Sequence, residues 1–598
     1  MKRGAVELFD FQRDGVAAIL EGLLRATYTD VRGTIHRGCA FLLHDEMGLG
    51  KTMQTWEALR QLRNQGQLAK SPILVVGPAS AIDSVWLAGD CKHFEEFTVT
   101  KDVCDASKLD DSRVVVLSYD QLLMAYKHYV FHQMVGGRLS NDELLRYCFV
   151  NNRSTASTDG MYGDDLRRAL FNIAREIDRP VTKSFKPGIM EFMHQKWGCI
   201  VFDEIHRIKS TASATLKAVG FMDSRFRICL SGTPIMNQGS DLLNILKFGL
   251  RLNHVDWGMI KSQPNGNYTR TVTQTFMLGR EKSNLPEMIP HLPKRVKEDE
   301  VVVLPWTDPQ QKQAYILCKQ DSLGTIEAMD RLKQGKSDQR RQLSQTFMAR
   351  LQRLRQICLH KDLPTYMRKE RPVQTRIRWS PSNHMGFSAW NRRRIVLLFR
   401  FLRLRTPLHR DLCYRIVATF CWEERTLIDP SIKMQSVLPY IQEKFIVFCT
   451  FRVFLEAIMQ PWLTQIGIKS IIFSGGSKKA QQEALRCFNE DQDVRAMLIV
   501  KSAGAEGLNL QHASGVCIIM DPHFNIALDE QAAQRIDRIG QRRDVIVRRL
   551  FMQGSIDEAM RVMQEHKTNN VDAWLRNKTT GRSIDMQKQF LRTFDTVS

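Results

Sequence analysis

The sequence predicts an α/β protein in which two lobes, each built on a parallel sheet, are joined by a helical connector. Three observations predict this architecture. With 598 residues, the chain is too long for one hydrophobic core. Short, continuous apolar runs, typical of buried parallel strands, occur in two separate regions. The stretch between them is rich in Arg, Gln and Leu. We therefore expect the first lobe at 1–250, the connector at 251–430 and the second lobe at 431–598.

The strands themselves are predicted from apolar runs that end at polar or glycine-containing residues. These runs are residues 40–43, 73–76, 114–117, 199–202, 446–449, 497–500 and 516–520. Ligands of open α/β sheets bind beyond the carboxyl ends of the strands, so the candidate functional residues should follow these runs. Within the connector, residues 308–354 predict one long helix. Residues 126–187 predict an irregular insertion in the first lobe.

Composition excludes several classes of protein. The chain has 43% hydrophobic and 25% charged residues, and no apolar run long enough to span a membrane. The first residues carry charge where a secretion signal would be apolar. The 13 cysteines are spread singly, without the close spacing of a zinc site. We expect an intracellular protein with no membrane contact and no zinc.

The net charge of +22 predicts a polyanionic partner, because neutralised phosphates release counterions. Much of the excess lies in residues 340–415, where nineteen Lys or Arg face three acids. Arg392, Arg393 and Arg394 form its densest cluster, and Trp379 and Trp390 are interleaved with the basic residues. We expect this segment to contact nucleic acid.

A phosphate-binding loop follows the apolar run 40–43. Its glycines would let main-chain N–H groups approach phosphates, Lys51 would supply a cation and Thr52 could bind Mg²⁺. Asp45 stands where the general pattern has glycine. The candidate nucleotide-binding residues here are Met47, Gly48, Leu49, Gly50, Lys51 and Thr52.

The other half of a nucleotide-hydrolysing site is predicted at two more places. Asp203 and Glu204 follow the apolar run 199–202; Asp203 would hold Mg²⁺ through water and Glu204 would orient the attacking water. Arg535 and Arg538 are three residues apart, a spacing that places both on one face of a helix. Arginines delivered from a neighbouring lobe commonly stabilise a transferring phosphate.

These residues belong to a series that resembles the Swi/Snf-type branch of superfamily-two helicases. The matching segments are 8–12, 45–52, 78–80 with Trp86, 117–119, 203–209, 230–234 with Asn237, 354–360, 445–450, 473–477, 501–510 and 531–541. The resemblance implies two RecA-like lobes that close on ATP and Mg²⁺ between them. It also implies that Gln12 contacts adenine, that Arg535 and Arg538 reach ATP across the cleft, and that Ser80, Lys501 and Ser502 contact the DNA backbone.

By this resemblance we expect an ATP-driven motor that moves along double-stranded DNA and remodels nucleosomes or other protein–DNA complexes. It would act in the nucleus or in a viral replication compartment, since compact members include viral global transactivators. Two alternatives remain: a strand-separating DNA or RNA helicase, and a transcription regulator that binds nucleic acid without catalysis. The sequence departs from the family at Asp537, commonly histidine, and at Ile526, usually proline.

Overall fold

The computed structural model defines two compact units. The first comprises Met1–Trp306, Val437–Thr450 and Ile471–Ser598, and the second comprises Thr307–Ser436 and Phe451–Ser470. The residues that the structure describes are 7–30, 32–68, 70–87, 89–101, 112–135, 193, 195–208, 213–235, 239–252, 254–263, 266–282, 285, 297–331, 337–369, 427–475, 478–501, 508, 510–538, 541–565 and 594.

The first lobe lies in the first unit. It is built on a seven-stranded sheet whose order is β5-β6-β4-β7-β8-β3-β9. Every pairing described in this sheet is parallel. Its strands are β3 (Ala40–Leu43), β4 (Ile73–Gly77), β5 (Thr98–Thr100), β6 (Arg113–Ser118), β7 (Trp197–Phe202), β8 (Ser224–Leu230) and β9 (Met277–Leu278). A separate antiparallel hairpin pairs β1 (Thr27–Thr29) with β2 (Ile35–Arg37).

Helices cover both faces of this sheet. The described α-helices of the first lobe are α1 (Asp10–Leu24), α2 (Lys51–Asn64), α3 (Ala79–Ala81), α4 (Tyr119–Val135), α5 (Ala214–Phe221), α6 (Gly239–Asn244), α7 (Trp257–Ser262) and α8 (Asn267–Phe276). Further 3-10 or π-helical segments lie at Ile82–Leu87, Asp90–His93, Ile205–Arg207 and Ile245–Gly249. Side chains of a strand alternate between faces. Thus Leu74 and Val76 join one buried cluster, while Ile73 and Val75 join the other. Burial on both faces explains why the strands are continuous apolar runs.

The second lobe has a six-stranded sheet in the order β10-β15-β14-β11-β13-β12. Its strands are β10 (Lys297–Leu304), β11 (Phe445–Cys449), β12 (Lys469–Phe473), β13 (Val494–Val500), β14 (Val516–Ile519) and β15 (Val545–Met552). Further helices of the first unit are α15 (Lys478–Glu490) and α16 (Ile526–Ala533), and residues 556–565 are also helical. The expectation of two parallel-sheet α/β lobes is confirmed.

The boundaries predicted for the connector were wrong at its start. Strand β9 extends the first sheet beside β3, and β10 pairs in parallel with β15 at the edge of the second sheet. Ion pairs reinforce that edge, with Arg548 3.0 Å from Glu298 and 2.8 Å from Glu300. Opposite charges on neighbouring strands stabilise such a pairing. These strands were missed because β9 has two residues and β10 begins with charged ones.

The second unit is helical, as expected of the connector, but its long helix was predicted with the wrong length. Residues 308–354 belong to two helices, α9 (Pro309–Asp330) and α10 (Ser337–Leu359). They are antiparallel, because Gln311 donates to the Ile357 carbonyl and Arg350 to Thr325. The other described α-helices of this unit are α11 (Leu363–Lys369), α12 (Ile432–Gln435), α13 (Arg452–Phe454) and α14 (Gln460–Gln465), and a π-helical segment, Leu455–Met459, lies between α13 and α14.

Two other predicted segments fall partly or wholly outside the described residues. Helix α4 continues to Val135, so the first residues of the predicted irregular insertion 126–187 are helical, and its described part ends there. The interleaved Trp379 and Trp390 lie outside the described residues. Within the part of the chain that the structure describes, no helix is long and apolar enough to cross a membrane.

Candidate functional site

The phosphate loop and the acidic pair meet at one edge of the first sheet. Strand β8 lies between β3, which precedes the loop, and β7, which precedes the acids. The registers align their ends, since Leu43 is opposite Leu230 and Phe202 is opposite Cys229. Because all these strands are parallel, the segments that follow them emerge side by side. The sheet therefore brings together residues about 150 positions apart in the chain.

Two glycines of the loop have backbone angles that favour glycine. Gly48 has φ 88° and Gly50 has φ 78°, both in the left-handed region. Helix α2 begins at Lys51, directly after Gly50, so its free N–H groups point toward the loop. The Lys51 ammonium donates to the Asp45 carbonyl at 2.8 Å. The loop residues Met47, Leu49 and Thr52 complete the expected strand, loop and helix.

Arg280 stabilises the phosphate loop through the Asp45 side chain, and the sequence analysis did not predict this contact. Its Nε donates to Asp45 Oδ1 at 2.9 Å and its Nη2 to Asp45 Oδ2 at 2.5 Å, while the Asp45 side chain is fully buried. The same guanidinium donates to Gln54 and to the Phe11 carbonyl. Asp45 therefore anchors the loop at a position where the general pattern has glycine. No sequence signal tied Arg280, just after β9, to residue 45.

Gln12 lies against the phosphate loop. Its side chain is 6% exposed and donates to the Leu49 carbonyl at 3.3 Å, while the main-chain N–H of Phe9 donates to its Oε1 at 3.1 Å. The predicted adenine contact of Gln12 remains a prediction. What the structure adds is that the helix α1 start and the loop are held together, so any adenine site here would share its scaffold with the phosphate site.

The acidic pair is held in an uncommon conformation. Glu204 has φ 50°, in the left-handed region that residues with a Cβ rarely adopt. Such a conformation persists when its surroundings determine it, and it is enriched at functional sites. The Trp86 indole N–H donates to Asp203 Oδ2 at 2.9 Å, and the Tyr119 hydroxyl donates to the Asp203 carbonyl at 2.8 Å.

Trp86, which belongs to one of the segments that resemble the family, lies inside the first lobe. Its side chain is fully buried between Trp56 and Asp203. The two indoles lie 5.5 Å apart between ring centroids. A buried indole N–H needs an acceptor, and the Asp203 carboxylate supplies it.

The pKa values of the two acids are shifted in opposite directions. Burial and the charge of Glu204 raise the pKa of Asp203, despite the Trp86 hydrogen bond and the Lys51 charge. Burial also favours protonation of Glu204, but the hydrogen bond and charge of His206, with the charges of Lys51 and Arg535, outweigh it and lower the pKa of Glu204 to about 2. Glu204 is therefore a carboxylate at neutral pH and can accept a hydrogen bond from water.

A histidine joins the acids to the next strand end. His206 Nδ1 lies 3.2 Å from Glu204 Oε2 and 3.0 Å from Ser231 Oγ, and the Thr233 main-chain N–H donates to the same Ser231 oxygen. Gly232 lies beside Met47 and Lys51, because a Cβ there would stand 2.5 Å from Met47 Cγ and 3.6 Å from Lys51 Nζ. The segment after β8 is thus in contact with both the acids and the loop.

The arginine segment of the second lobe, residues 534–538, lies against the phosphate loop. A Cβ on Gly48 would stand 3.3 Å from both Arg538 Cγ and the Asp537 carbonyl. Helix α16 ends at Ala533, so the prediction that Arg535 and Arg538 occupy one helical face was wrong. Arg535 lies in the turn that follows the helix, and Arg538 lies in the bend after that turn. The side chain of Arg535 is 3% exposed.

The charges around the loop suit a polyphosphate. Burial and the neighbouring Arg535 lower the pKa of Arg538 to about 9, so the guanidinium groups of buried Arg535 and half-buried Arg538 repel each other. Burial also lowers the pKa of Lys51, and the charge of Arg538 adds to this effect. An anion between these three cations would relieve their repulsion. Thr52 and Asp203 provide hydroxyl and carboxylate oxygens, the ligands that Mg²⁺ prefers.

The predicted nucleic-acid contacts stay predictions. The Lys501 ammonium is buried and forms a 2.7 Å ion pair with Asp529 inside the second lobe, so it is not exposed for a contact with DNA in this structure. Ser502 and the cluster Arg392, Arg393 and Arg394 lie outside the described residues, as does the side chain of Ser80.

Comparison with known proteins adds two family matches. A model of the SNF2-related domain matches residues 24–363, more than half of the chain. A model of the helicase conserved C-terminal domain matches residues 432–542, which include the arginine segment. The resemblance predicted from the motifs is confirmed.

Individual relatives are distant. A DNA repair protein of Arabidopsis thaliana, RAD5B, is 26% identical over 65% of this chain and 36% of its own length. The Arabidopsis protein CHROMATIN REMODELING 19 is 26% identical over 86% of this chain and 63% of its own length. A probable global transactivator of Orgyia pseudotsugata multicapsid polyhedrosis virus is 23% identical over 90% of this chain and 87% of its own length.

Among solved structures, the SWI2/SNF2 ATPase core of Sulfolobus solfataricus in complex with double-stranded DNA is 18% identical. The alignment covers 96% of both chains with a TM-score of 0.34. The chain spans less than two thirds of the two Arabidopsis relatives.

Proposed function

The chain belongs to the SNF2-related domain family, and from this premise we propose that it is a DNA-dependent ATPase that moves along double-stranded DNA. The observation that carries the proposal is the meeting of three groups at one place. The phosphate loop with Lys51, the acids Asp203 and Glu204, and the arginine segment with Arg538 are brought together from both lobes. Nucleotide binding requires the first group, and hydrolysis requires all three.

Each group has a chemical role in this proposal. The main-chain N–H groups after Gly48 and the Lys51 ammonium would bind the phosphates of ATP. Glu204, held ionised, would orient the attacking water and accept a hydrogen bond from it. Arg535 and Arg538 would stabilise negative charge on the transferring group.

Thr52 and Asp203 would hold Mg²⁺, which when bound neutralises charge on the phosphates. The Trp86 hydrogen bond fixes one carboxylate oxygen of Asp203 and so orients the other. In this proposal Glu204 acts on the water and Asp203 holds the metal.

Motion would follow from the contact between the lobes. Closure would bring the arginine segment to the phosphate loop, and opening after hydrolysis would withdraw it. Backbone contacts that alternate between the lobes would advance the motor along one strand. Contacts to phosphates carry little sequence information, so we expect weak sequence preference and strong salt dependence.

The net charge of +22 supports DNA as the track. The relatives' names, which refer to DNA repair, chromatin remodelling and viral transactivation, support nucleosomes or other DNA-bound proteins as the cargo. We place the protein in the nucleus or in a viral replication compartment on the same basis.

The test is steady-state ATP hydrolysis without nucleic acid and with duplex DNA, single-stranded DNA or RNA, using Glu204→Gln as the blank. We expect duplex DNA to give the strongest stimulation. Strand displacement in a parallel assay would favour a strand-separating helicase instead. Absence of turnover with every nucleic acid would favour a regulator without catalysis, and stimulation by RNA alone would overturn the choice of track.

A further inference from the structure

Lys282 connects the two sides of the site. It follows β9 in the first lobe, two residues after Arg280, and its main-chain N–H donates to Glu46 Oε2 at 2.8 Å. Its ammonium donates to the Asp537 carbonyl at 2.6 Å and lies 3.1 Å from Asp537 Oδ2 and 3.6 Å from Glu46 Oε1. One side chain therefore contacts both the phosphate loop and the arginine segment.

Burial of the Asp537 carboxylate costs free energy unless a cation pairs with it. Its side chain is 3% exposed, and a carboxylate removed from water is tolerated when it is paired. It also stands between Arg535 and Arg538, so a carboxylate directed toward either guanidinium would compete with ATP for that charge. The Lys282 ammonium, which is 20% exposed, draws the carboxylate toward the first lobe instead.

Neighbouring contacts also hold the arginine segment against the phosphate loop. Gln534 Nε2 donates to Glu46 Oε1 at 3.4 Å, and the Asp537 carbonyl lies 3.3 Å from where a Gly48 Cβ would be. Glu46 thus receives Lys282 from its own lobe and Gln534 from the other. These contacts flank the loop glycine against which Arg538 lies.

We propose that Lys282 is a positioning residue that fastens the arginine segment to the phosphate loop through Asp537, and so places Arg538 over Gly48 for hydrolysis. The inference deepens the proposed function and rests on its assignment of the arginine segment to catalysis. Lys282 itself does not contact the phosphates in this role. The ion pair forms when the lobes close and breaks when they open, and Asp537 takes the place that histidine commonly holds in the family.

The experiment compares Lys282→Met, Asp537→Asn and the exchanged pair Lys282→Asp with Asp537→Lys, all in the full chain with duplex DNA. Each single variant should lower kcat about tenfold while the affinity for ATP changes less than about threefold. Because the exchanged pair can form the same ion pair in reverse, it should regain most of the activity that Lys282→Asp alone loses. Nucleotide affinity is read from binding of a fluorescent ATP analogue.

Salt and a matched ion pair supply the controls. Wild-type kcat at saturating DNA should fall between about 0.05 and 0.5 M salt more steeply than that of Lys282→Met, since salt screens the pair. Arg251 also forms an ion pair, 3.1 Å from Asp223, with the two side chains 21% and 28% exposed. Arg251→Met should leave kcat unchanged, so a general effect of losing an ion-paired cation is separated from a positioning effect.

The outcomes distinguish this inference from the function beneath it. If wild type and Glu204→Gln hydrolyse ATP equally, the proposed function itself is wrong. If wild type is active and Lys282→Met retains its kcat, the positioning role is wrong while the function stands. Failure of the exchanged pair to exceed Lys282→Asp alone, with both variants folded by circular dichroism, would likewise overturn the pairing.

Discussion

Arg280→Met is the perturbation whose effect the structure specifies best. The Arg280 side chain donates two hydrogen bonds to Asp45, at 2.9 Å and 2.5 Å, and the two side chains are 15% and 0% exposed. Methionine keeps most of the aliphatic length of arginine and the main-chain N–H that donates to Asp45 at 3.1 Å, but its side chain supplies no donor and no charge. The variant therefore leaves a buried carboxylate without its cation.

The magnitude follows from that burial. Coulomb's law with an effective dielectric constant of about 20 gives about 6 kcal/mol at a 2.9 Å separation. Gln54 still donates to Asp45 at 3.1 Å, which retains a part of the stabilisation. We expect a loss of about 3–5 kcal/mol in the free energy of unfolding of the first lobe, the range found when a buried ion pair loses one partner.

The assay is urea denaturation followed by tryptophan fluorescence, which reports on the buried Trp56 and Trp86 of this lobe. Arg13→Met is the matched control: Arg13 pairs with Asp10, but the side chains are 58% and 73% exposed, so its loss should cost less than about 1 kcal/mol. Equal losses from the two variants would refute the reasoning. Adding Asp45→Asn to Arg280→Met should restore part of the stability, because no unpaired charge then remains.

Three further predictions concern the site and the track. Lys51→Ala should abolish tight ATP binding, whereas Glu204→Gln should keep binding and lower kcat at least about a hundredfold; equal turnover of wild type and Glu204→Gln would contradict the assignment. Trp86→Phe removes the N–H that holds Asp203, so it should raise the Mg²⁺ concentration for half-maximal hydrolysis several-fold, and an unchanged Mg²⁺ titration would contradict this role. Neutralising the three arginines at 392–394 should weaken DNA binding and reduce its salt slope by up to about three, as measured by fluorescence anisotropy at several salt concentrations; an unchanged slope would show that this segment does not contact DNA.

Local patterns predicted much of the fold. Apolar runs located strands such as β3 and β14, because a parallel strand covered on both faces must be apolar throughout. Strand β10 was missed for the opposite reason: it lies at a sheet edge, and its charged residues pair with Arg548 and Arg549 instead of a core. An edge strand forms because it pairs with a neighbouring strand, and the periodicity of its own sequence does not reveal that partner.

The candidate site was predictable where its residues form local motifs. Lys51 follows its glycines directly, and Asp203 with Glu204 follows a strand, so chain order alone identified them. The contact of Trp86 with the site was not predicted, because its acceptor Asp203 lies 117 positions away and local sequence gives no sign of that contact. The conformation of the arginine segment was likewise missed, since helix α16 ends at Ala533 although the sequence there continues without glycine or proline until Gly540.

The sequence by itself determined the two parallel α/β lobes, the phosphate loop, the acidic pair and the family. These features depend on residues that are neighbours along the chain or on the periodicity of buried strands. Only the tertiary structure decided that Arg280 anchors Asp45, that Trp86 holds Asp203 and that Lys282 meets Asp537. Each of these contacts joins segments 117 to 255 residues apart, and the partner of a buried charge or donor is set by how the sheets and lobes pack.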